Sequence, residues 1–269
     1  MPYGYFQFEV KDSVGIIRMN RPPSNAIHPG WIREFSELIP SLATQDEVRC
    51  VIVTSALEKI FMAGADISYL QEMHQAIATG KEKVASGTKV ENPLQATFSH
   101  VEALPKPVIA CINGHALGGG CELALACHYR FMASDYGTIG LTEVNLGILP
   151  AAGGTQRMIR VLGKAKALPL LLEGKRLKPE EAKELGLVHA LYPKKDLFEA
   201  SMELARRLAQ QPPIAIASIL RCVREGAQVS IEKGLEIETE EFVRLIQTED
   251  AMEGFQAFFE KRPARFRGK

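Results

Sequence analysis

The first forty residues carry two different hydrophobic periods. Apolar and polar residues alternate from Phe6 to Val10, and after a short polar interruption an apolar run resumes over residues 15–19. This pattern of two apolar stretches around a polar break predicts a β-hairpin. From Trp31, apolar residues recur at offsets of 4, 7, 8 and 11, which is one stripe of an amphipathic helix. The chain is therefore predicted to begin with a hairpin and a helix.

Two short apolar runs further along the chain predict buried strands. They cover residues 50–54 and 107–112, and the first is rich in β-branched residues. Strand and helix patterns alternate in this way through about the first 190 residues, which is typical of layered α/β folds. The predicted fold class is therefore α/β.

The last quarter of the chain has a helical pattern throughout. An apolar stripe from Leu197 to Leu208 stops at Pro212, and helix-forming residues dominate beyond it. We therefore predict two regions, an α/β core with the active site over residues 1–195 and a helical region over residues 196–269.

Composition excludes several classes of function. Lys and Arg together number 32, as do Asp and Glu, so no net positive field is present to hold nucleic acid or an anionic membrane. The five cysteines include no CxxC pair, which favours buried thiols over a zinc or redox site. The N-terminus lacks a signal-peptide pattern, and no apolar run approaches the ~20 residues that span a bilayer. We expect a cytoplasmic protein with no membrane partner.

Two segments are rich in small residues that let a ligand approach the backbone. The first runs from Ala63 to Asp66 (AGAD), just beyond a predicted strand. The second holds the triplet Gly118–Gly120 ahead of a predicted helix from Glu122 to Cys127, where exposed N–H groups could bind an anion or a developing oxyanion. It matches neither the dinucleotide nor the phosphate-loop pattern. Alone, either segment could be an ordinary tight turn.

Two glutamates accompany these segments. Glu122 lies in the first turn of the predicted helix, where an ordinary role would be to pair with the helix dipole. Glu143 lies among apolar residues, so we expect desolvation to raise its pKa and to suit it to proton transfer. Alone, Glu143 could equally be a surface carboxylate in a loop.

The three motifs in this order resemble the enoyl-CoA hydratase/isomerase (crotonase) superfamily. The resemblance runs from about Asn20 to the C-terminus and rests on AGAD, on NGxALGGGCELALAC and on GLxEVxLGxLPxxGGTQR. It implies a spiral of ββα repeats whose helical C-terminal region assembles homotrimers or homohexamers. It also implies an acyl-CoA thioester as substrate and no metal or other cofactor, since CoA is part of the substrate.

The resemblance assigns a role to each motif. The backbone N–H groups of Ala65 and Gly119 correspond to the oxyanion hole that holds the thioester carbonyl. Glu122 and Glu143 correspond to two catalytic carboxylates, of which one deprotonates a water while the other manages the proton delivered to the α-carbon. Such a coupled pair titrates as a unit, so the sequence does not divide these two tasks between them.

CoA binding is implied near two loops and near the C-terminal end of the chain. Phe258 and Lys261 match C-terminal residues that touch CoA in the family, in some cases across a subunit boundary. The segment from Ser68 to Pro105 is expected to border the acyl pocket. The full set of implied CoA-binding residues is Ser24, Ala26, Ala63, Gly64, Asp66, Phe258 and Lys261.

The sequence departs from the family pattern at several positions. His128 stands where many relatives have Asp, which puts a local ion pair in doubt. Thr142 replaces the usual Pro before Glu143, which could loosen the placement of that acid. His115 and His128 are both interpreted as structural rather than catalytic residues.

Three functions remain open on these grounds. Hydration of a trans-2-enoyl-CoA to a 3-hydroxyacyl-CoA is favoured, because family members that only shift a double bond typically keep a single carboxylate. The alternatives are another acyl-CoA reaction on the same fold (a double-bond isomerase, a decarboxylase or a specialised lyase) and a non-catalytic binding protein. The two intact glutamates argue against the last.

Overall fold

The computed structural model describes residues 3–79 and 92–269. Its first element is the predicted hairpin, in which β1 (Phe6–Lys11) pairs antiparallel with β2 (Val14–Met19). The predicted helix follows as α1 (Pro29–Ser41), and its apolar stripe, which includes Trp31 and Phe35, is fully buried. Both predictions from hydrophobic period are confirmed.

Seven further strands and ten further helices make up the rest of the described fold. The strands are β3 (Cys50–Ser55), β4 (Ile60–Met62), β5 (Val108–Ile112), β6 (His115–Leu117), β7 (Tyr129–Ala133), β8 (Ile139–Gly140) and β9 (Ala190–Tyr192). The helices are α2 (Ile67–Ala78), α3 (Pro93–Ala103), α4 (Gly119–Ala126), α5 (Gly154–Leu162), α6 (Lys164–Glu173), α7 (Pro179–Leu185), α8 (Lys194–Ala209), α9 (Pro213–Gly226), α10 (Ile231–Leu245) and α11 (Glu249–Glu260).

The strands form two sheets, and from β3 onward the chain adds strands to the two sheets alternately. The larger sheet has the order β1-β2-β3-β5-β7-β9, and all its neighbours except the hairpin pair are parallel. The smaller sheet, β4-β6-β8, is parallel throughout. Each successive turn of the chain therefore adds one strand to each sheet and then a helix, as in β3-β4-α2 and β5-β6-α4. This is the spiral of ββα repeats that the resemblance implies.

Three successive turns of the spiral each end a strand at the same edge of the smaller sheet. Because β4, β6 and β8 are neighbouring parallel strands, the residues that follow them emerge on the same side. Ala65 follows β4, Gly119 follows β6 and Glu143 follows β8, each within three residues of the strand's end. The smaller sheet therefore brings together groups that are far apart in the sequence.

Two hydrophobic clusters hold the layers together. One fills the space between the larger sheet and helices α1, α3 and α4, and it contains Phe98, which makes an edge-to-face contact with Trp31. The other lies between the opposite face of that sheet and α8, through Leu197, Met202 and Ala205. The predicted boundary between residues 195 and 196 falls inside α8, and the division of the chain into two regions stays a prediction.

Burial also decides the state of the cysteines. Four of them (Cys50, Cys111, Cys121 and Cys127) are buried, and burial raises the pKa of Cys50 and Cys127 to about 12. Thiols with such a pKa stay protonated and unreactive at neutral pH. The prediction of buried thiols therefore holds for these four, and Cys222 is half-buried.

Candidate active site

The glycine triplet is where helix α4 begins. Gly118 precedes the helix with φ 52° and ψ −122°, a conformation that side chains strongly disfavour, and the helix starts at Gly119. The helix thus begins three residues earlier than the sequence predicted, and Glu122 still lies in its first turn. The first N–H groups of a helix have no carbonyl partner within it. Within residues 3–79 and 92–269, the Gly119 N–H has no acceptor.

The AGAD segment is held beside the turn that contains Ser24 and Ala26. The N–H of Ala63 donates to the Ser24 carbonyl (3.1 Å), the N–H of Ile27 to the Gly64 carbonyl (2.8 Å), and the N–H of Asp66 to the Ile27 carbonyl (2.9 Å). The N–H of Ala65 takes no part in this ladder and has no acceptor in the described part of the chain. Ala65 is also an exposed residue.

These two free N–H groups come from backbone segments in direct contact. A Cβ atom at Gly119 would lie 3.5 Å from the Gly64 Cα and 3.8 Å from the Gly64 carbonyl carbon, the atom to which the Ala65 nitrogen is bonded. Two free donors this close together can serve a single carbonyl oxygen. The arrangement fits the oxyanion hole expected of Ala65 and Gly119.

An ion pair fixes the two loops against each other. Arg21 donates through Nη2 to Asp66 Oδ2 (2.8 Å) and through Nη1 to the Ala26 carbonyl (2.9 Å), and the hydrogen bond from Arg21 is the main reason that the pKa of Asp66 is lowered. Asp66 Oδ1 accepts from the Ser68 N–H and so caps α2. The Asp66 carboxylate is thus occupied within the protein, so a contact with CoA would fall to its backbone.

Glu122 is a buried carboxylate held by one of its two oxygens. Its Oε1 accepts hydrogen bonds from the N–H groups of Ala152 and Gly154, both at 2.8 Å, and the residue is 3% exposed. Its Oε2 accepts no hydrogen bond from the described residues. Burial raises the pKa of Glu122, while the two backbone donors and the nearby Arg157 act in the opposite direction. One oxygen is therefore fixed and the other is available.

Glu143 faces the glycine triplet from the next turn of the spiral. It opens a short 3₁₀ turn (Glu143–Leu146), and a Cβ atom at Gly118 would lie 3.0 Å from its Oε1. Its Oε2 is buried and has no hydrogen-bond partner among the described residues. Burial, and secondarily the charge of Glu122, raise the pKa of Glu143 to about 7. A carboxyl group with this pKa can hold or release a proton near neutral pH.

The predicted direction of the Glu143 pKa shift is confirmed, and burial is its main cause. The apolar neighbours of Glu143 in the sequence, Val144, Leu146 and Ile148, are 40%, 60% and 45% exposed. The Gly118 backbone, which is distant in the sequence, also faces its carboxylate.

Two departures from the family pattern have local structural solutions. His128 accepts a hydrogen bond at Nδ1 from the Val108 N–H (2.9 Å), and burial lowers its pKa to about 4, so it is neutral and structural. Thr142 precedes the 3₁₀ turn without capping it, and the turn is closed by the N–H of Ile148, which donates to the Glu143 carbonyl (3.3 Å). His115 contacts the Thr138 hydroxyl at 2.9 Å and the Tyr136 ring.

Phe258 and Lys261 are the predicted site residues that stand apart. Phe258 is 78% exposed, and the contacts found for these two within the described residues are local, such as the ring contact with Phe259 and the Lys261 N–H to the Phe258 carbonyl. A CoA contact by either residue stays a prediction. In the acyl-pocket segment, Phe98 is core and Met73 is 37% exposed, while residues 80–91 lie outside the described residues.

The sequence does not indicate the groups that hold Glu122. The Ala152 and Gly154 N–H groups and Arg157 lie in the GGTQR stretch and the residues just before it, which the sequence shows only as a family motif. Backbone donors leave no signal of their own in a sequence. An arginine close to a glycine pair is the one signal that the sequence offers.

Other features of the described chain concern metals and membranes. Across residues 3–79 and 92–269, no group of three or more His, Cys, Asp or Glu side chains is arranged to hold a metal ion. None of the helices in the same ranges is long and apolar enough to cross a membrane.

Comparison with known proteins gives one consistent result. A family model described as enoyl-CoA hydratase/isomerase matches residues 9–269. A short-chain-enoyl-CoA hydratase from Clostridium acetobutylicum is 37% identical over 94% of each chain, and a crotonyl-CoA hydratase from Syntrophomonas wolfei is 35% identical over 100% of each. The crystal structure of an enoyl-CoA hydratase from Bacillus anthracis superposes with a TM-score of 0.88 at 35% identity, covering 98% of this chain and 100% of that one. This chain therefore belongs to the enoyl-CoA hydratase/isomerase family.

Proposed function

We propose that the protein is an enoyl-CoA hydratase, which adds water reversibly across the trans-2 double bond of an enoyl-CoA to give a 3-hydroxyacyl-CoA. The observation that carries the proposal is the pairing of a buried carboxylate, Glu122, and a half-buried one, Glu143, with two free backbone donors, Ala65 and Gly119. The names of the hydratase relatives from Clostridium acetobutylicum and Syntrophomonas wolfei agree with it.

The two backbone donors would activate the substrate. The thioester carbonyl accepts hydrogen bonds from the N–H groups of Ala65 and Gly119, at the positive end of the α4 dipole. This withdraws electrons from the double bond, so the β-carbon becomes open to attack by water. It also stabilises the negative charge that develops on the carbonyl oxygen as the enolate forms.

The two glutamates would divide the protons between them. Glu122 has two N–H donors on Oε1 and a cation nearby, which favour its ionised form, so it is proposed as the base that deprotonates water at its free Oε2. Burial and the charge of Glu122 raise the pKa of Glu143 to about 7, and its Oε2 is buried with no partner in the described residues, so it is proposed as the acid. As the water oxygen bonds to the β-carbon, Glu122 gains a proton and Glu143 gives one to the α-carbon.

The same site argues against two of the rival functions. A double-bond isomerase needs one carboxylate to move a proton, and here a second carboxylate, Glu122, lies close enough for its charge to raise the pKa of Glu143. In a non-catalytic binding protein, Glu143 Oε2 would have no reason to stay buried, because an unpaired buried polar group destabilises a fold by about 1–3 kcal/mol. Another acyl-CoA reaction on this frame remains the second candidate.

The remaining parts of the proposal concern CoA and assembly. We propose that CoA lies along Ser24, Ala26 and the AGAD segment, with Phe258 and Lys261 completing its site from a neighbouring subunit, and that no cofactor is needed. The exposed apolar side chains of α10 and α11, among them Phe242 (61%) and Phe259 (81%), would then be covered in a homotrimer or homohexamer. A cytoplasmic location stays a prediction.

Incubation of the purified protein with crotonyl-CoA tests the function directly. We expect the absorbance of the enoyl thioester to fall, and mass spectrometry to show a product heavier by one water. A 3-enoyl-CoA substrate serves as the control for the isomerase alternative, because an isomerase would convert it to the 2-enoyl form. Absence of hydration with crotonyl-CoA and with longer trans-2-enoyl-CoA thioesters would exclude a hydratase.

The pH profile tests how the glutamates divide the work. Glu143 must be protonated to act as the acid, so kcat for hydration is expected to fall as pH rises through about 7, where its carboxyl group ionises. Glu122 must be ionised, so kcat also falls at acidic pH, and the profile is bell-shaped. In Glu143→Gln, the residual activity should lose the alkaline limb. A wild-type kcat that continues to rise through neutral pH would refute the assignment of Glu143 as the acid.

A further inference from the structure

The loop that contains Ala152 and Gly154, the two donors to Glu122, is itself fixed by hydrogen bonds to its carbonyl groups. To aim the N–H groups of Ala152 and Gly154 at one carboxylate oxygen, the loop must turn its carbonyl groups the other way, and these also need partners. The Ala151 carbonyl accepts from Asn92 Nδ2 (2.9 Å) and from Gln95 Nε2 (2.7 Å), both near the start of α3.

The next carbonyl of the loop is bound by a buried arginine. Arg157 on α5 is 8% exposed and donates through Nη1 to the Ala152 carbonyl (2.9 Å). Its Nε donates to Glu102 Oε2 (3.0 Å) and its Nη2 to the Ser99 hydroxyl (3.1 Å), and both partners lie on α3. The guanidinium thus uses three directions at once, which the single nitrogen of a lysine does not reproduce.

The loop is shaped to receive this guanidinium. Gly153 lies between the two donors to Glu122 at φ 99°, and a Cβ atom there would overlap Arg157 Nη1. The absence of a side chain at this position therefore lets the arginine pack directly against the backbone of the loop. Arg157, Ala152 and Glu122 form a continuous chain of hydrogen bonds from α3 to the carboxylate.

We propose that Arg157 is a positioning residue for Glu122, which fixes the loop through the Ala152 carbonyl so that two N–H groups stay aimed at one carboxylate oxygen. The proposal deepens the proposed hydratase function and rests on it. Arg157 acts through the loop, because its hydrogen bonds go to Ala152, Ser99 and Glu102.

Electrostatics support the same role. The Arg157 cation lowers the pKa of Glu122 against the effect of burial, and so do the two N–H groups that the arginine holds in place. Two other titratable groups near Glu122 are Glu143 and the buried Cys121 thiol, and Glu102 partly offsets the charge of Arg157. Loss of Arg157 removes the cation and loosens both donors, so less Glu122 is ionised at neutral pH.

Two substitutions at this position separate geometry from charge. Arg157→Gln removes both, and we expect kcat for crotonyl-CoA to fall about 10- to 100-fold, as when an outer hydrogen-bonding partner is lost at a metal site, with KM nearly unchanged. The acid limb of its pH profile should move to higher pH. Arg157→Lys keeps the charge without the three-way geometry, so kcat should fall while the acid limb stays closer to that of wild type.

The matched control is Arg160→Gln, one turn further along α5. Arg160 is exposed, and its guanidinium contacts only Gln156 among the described residues, so kcat and the pH profile should match wild type. If Arg157 variants fold poorly, Ser99→Ala and Glu102→Gln each remove one anchor while the cation remains, and smaller losses of kcat in the same direction are expected.

A readout without turnover separates this proposal from the hydratase proposal. The infrared band of the protonated Glu122 carboxyl, assigned by its loss in Glu122→Gln, should appear at higher pH in Arg157→Gln than in wild type. Wild type inactive on enoyl-CoA would refute the hydratase function, whereas the infrared shift would still support the positioning role. Arg157→Gln with wild-type kcat, pH profile and carboxyl titration would overturn that role, even if its melting temperature fell.

Discussion

Glu143→Gln is expected to lower kcat for hydration of crotonyl-CoA by about 10²- to 10⁴-fold, the range contributed by a positioned acid or base. Glutamine keeps the shape of the side chain and its contact near Gly118, but its amide cannot deliver a proton to the α-carbon. Initial rates over a range of crotonyl-CoA concentrations should show the loss in kcat and not in KM, because the substituted group acts on the reacting atoms and not on CoA.

The controls for this prediction come from the same chain. Glu122→Gln should lower kcat by a similar factor. The double variant should lower kcat by less than the product of the two factors, because both carboxylates serve one step. Glu184→Gln, on the exposed side of α7, should leave kcat unchanged. Full activity in Glu143→Gln would refute the assignment of the catalytic pair.

Gly119→Pro is expected to lower kcat by about 10²- to 10³-fold, because proline has no N–H to donate to the thioester carbonyl. Helix α4 should tolerate the change at its backbone, since Gly119 is the first helical residue, where proline is common. The side chain is a separate matter, since a Cβ atom here would lie 2.6 Å from Ile27 Cδ1 and would push that methyl group aside.

Gly119→Ala is the matched control for the loss of the donor. It adds the same Cβ atom and displaces the same methyl group, but it keeps the N–H. The ratio of kcat between the alanine and proline variants, both checked for folding by circular dichroism, therefore measures the loss of the N–H together with the ring carbons that replace its hydrogen. Equal kcat in the two would mean that the Gly119 N–H does not bind the oxyanion.

Long hydrophobic patterns made the frame of the fold predictable. The hairpin and α1 show a hydrophobic period, whereas β3 and β5 are visible as apolar runs that form buried strands. The smaller sheet was not predicted, because β4, β6 and β8 are two or three residues long and show no period. Yet this sheet is what brings the site residues to one edge.

The sequence indicates which residues form the candidate site, but it does not indicate which groups surround them. The motifs indicated Glu122 and Glu143, but the Gly118 backbone that faces the Glu143 carboxylate comes from another turn of the chain. Likewise the donors to Glu122 are backbone groups 30 and 32 residues away. Contacts of this kind depend on tertiary packing, which one sequence read along its length does not reveal.

The stacking of β4, β6 and β8 has a consequence for how such a protein could change. In the proposed mechanism each strand end supplies a different chemical part, with the N–H donor of Ala65 after β4, that of Gly119 after β6 and the acid Glu143 after β8. Because these parts lie on separate turns, a substitution after β8 can replace the acid and leave in place both N–H groups that donate to the thioester carbonyl. The frame would still bind a thioester and stabilise its enolate, and only the fate of that enolate would differ. A spiral of this kind is modular in evolution, since new reactions can arise one turn at a time.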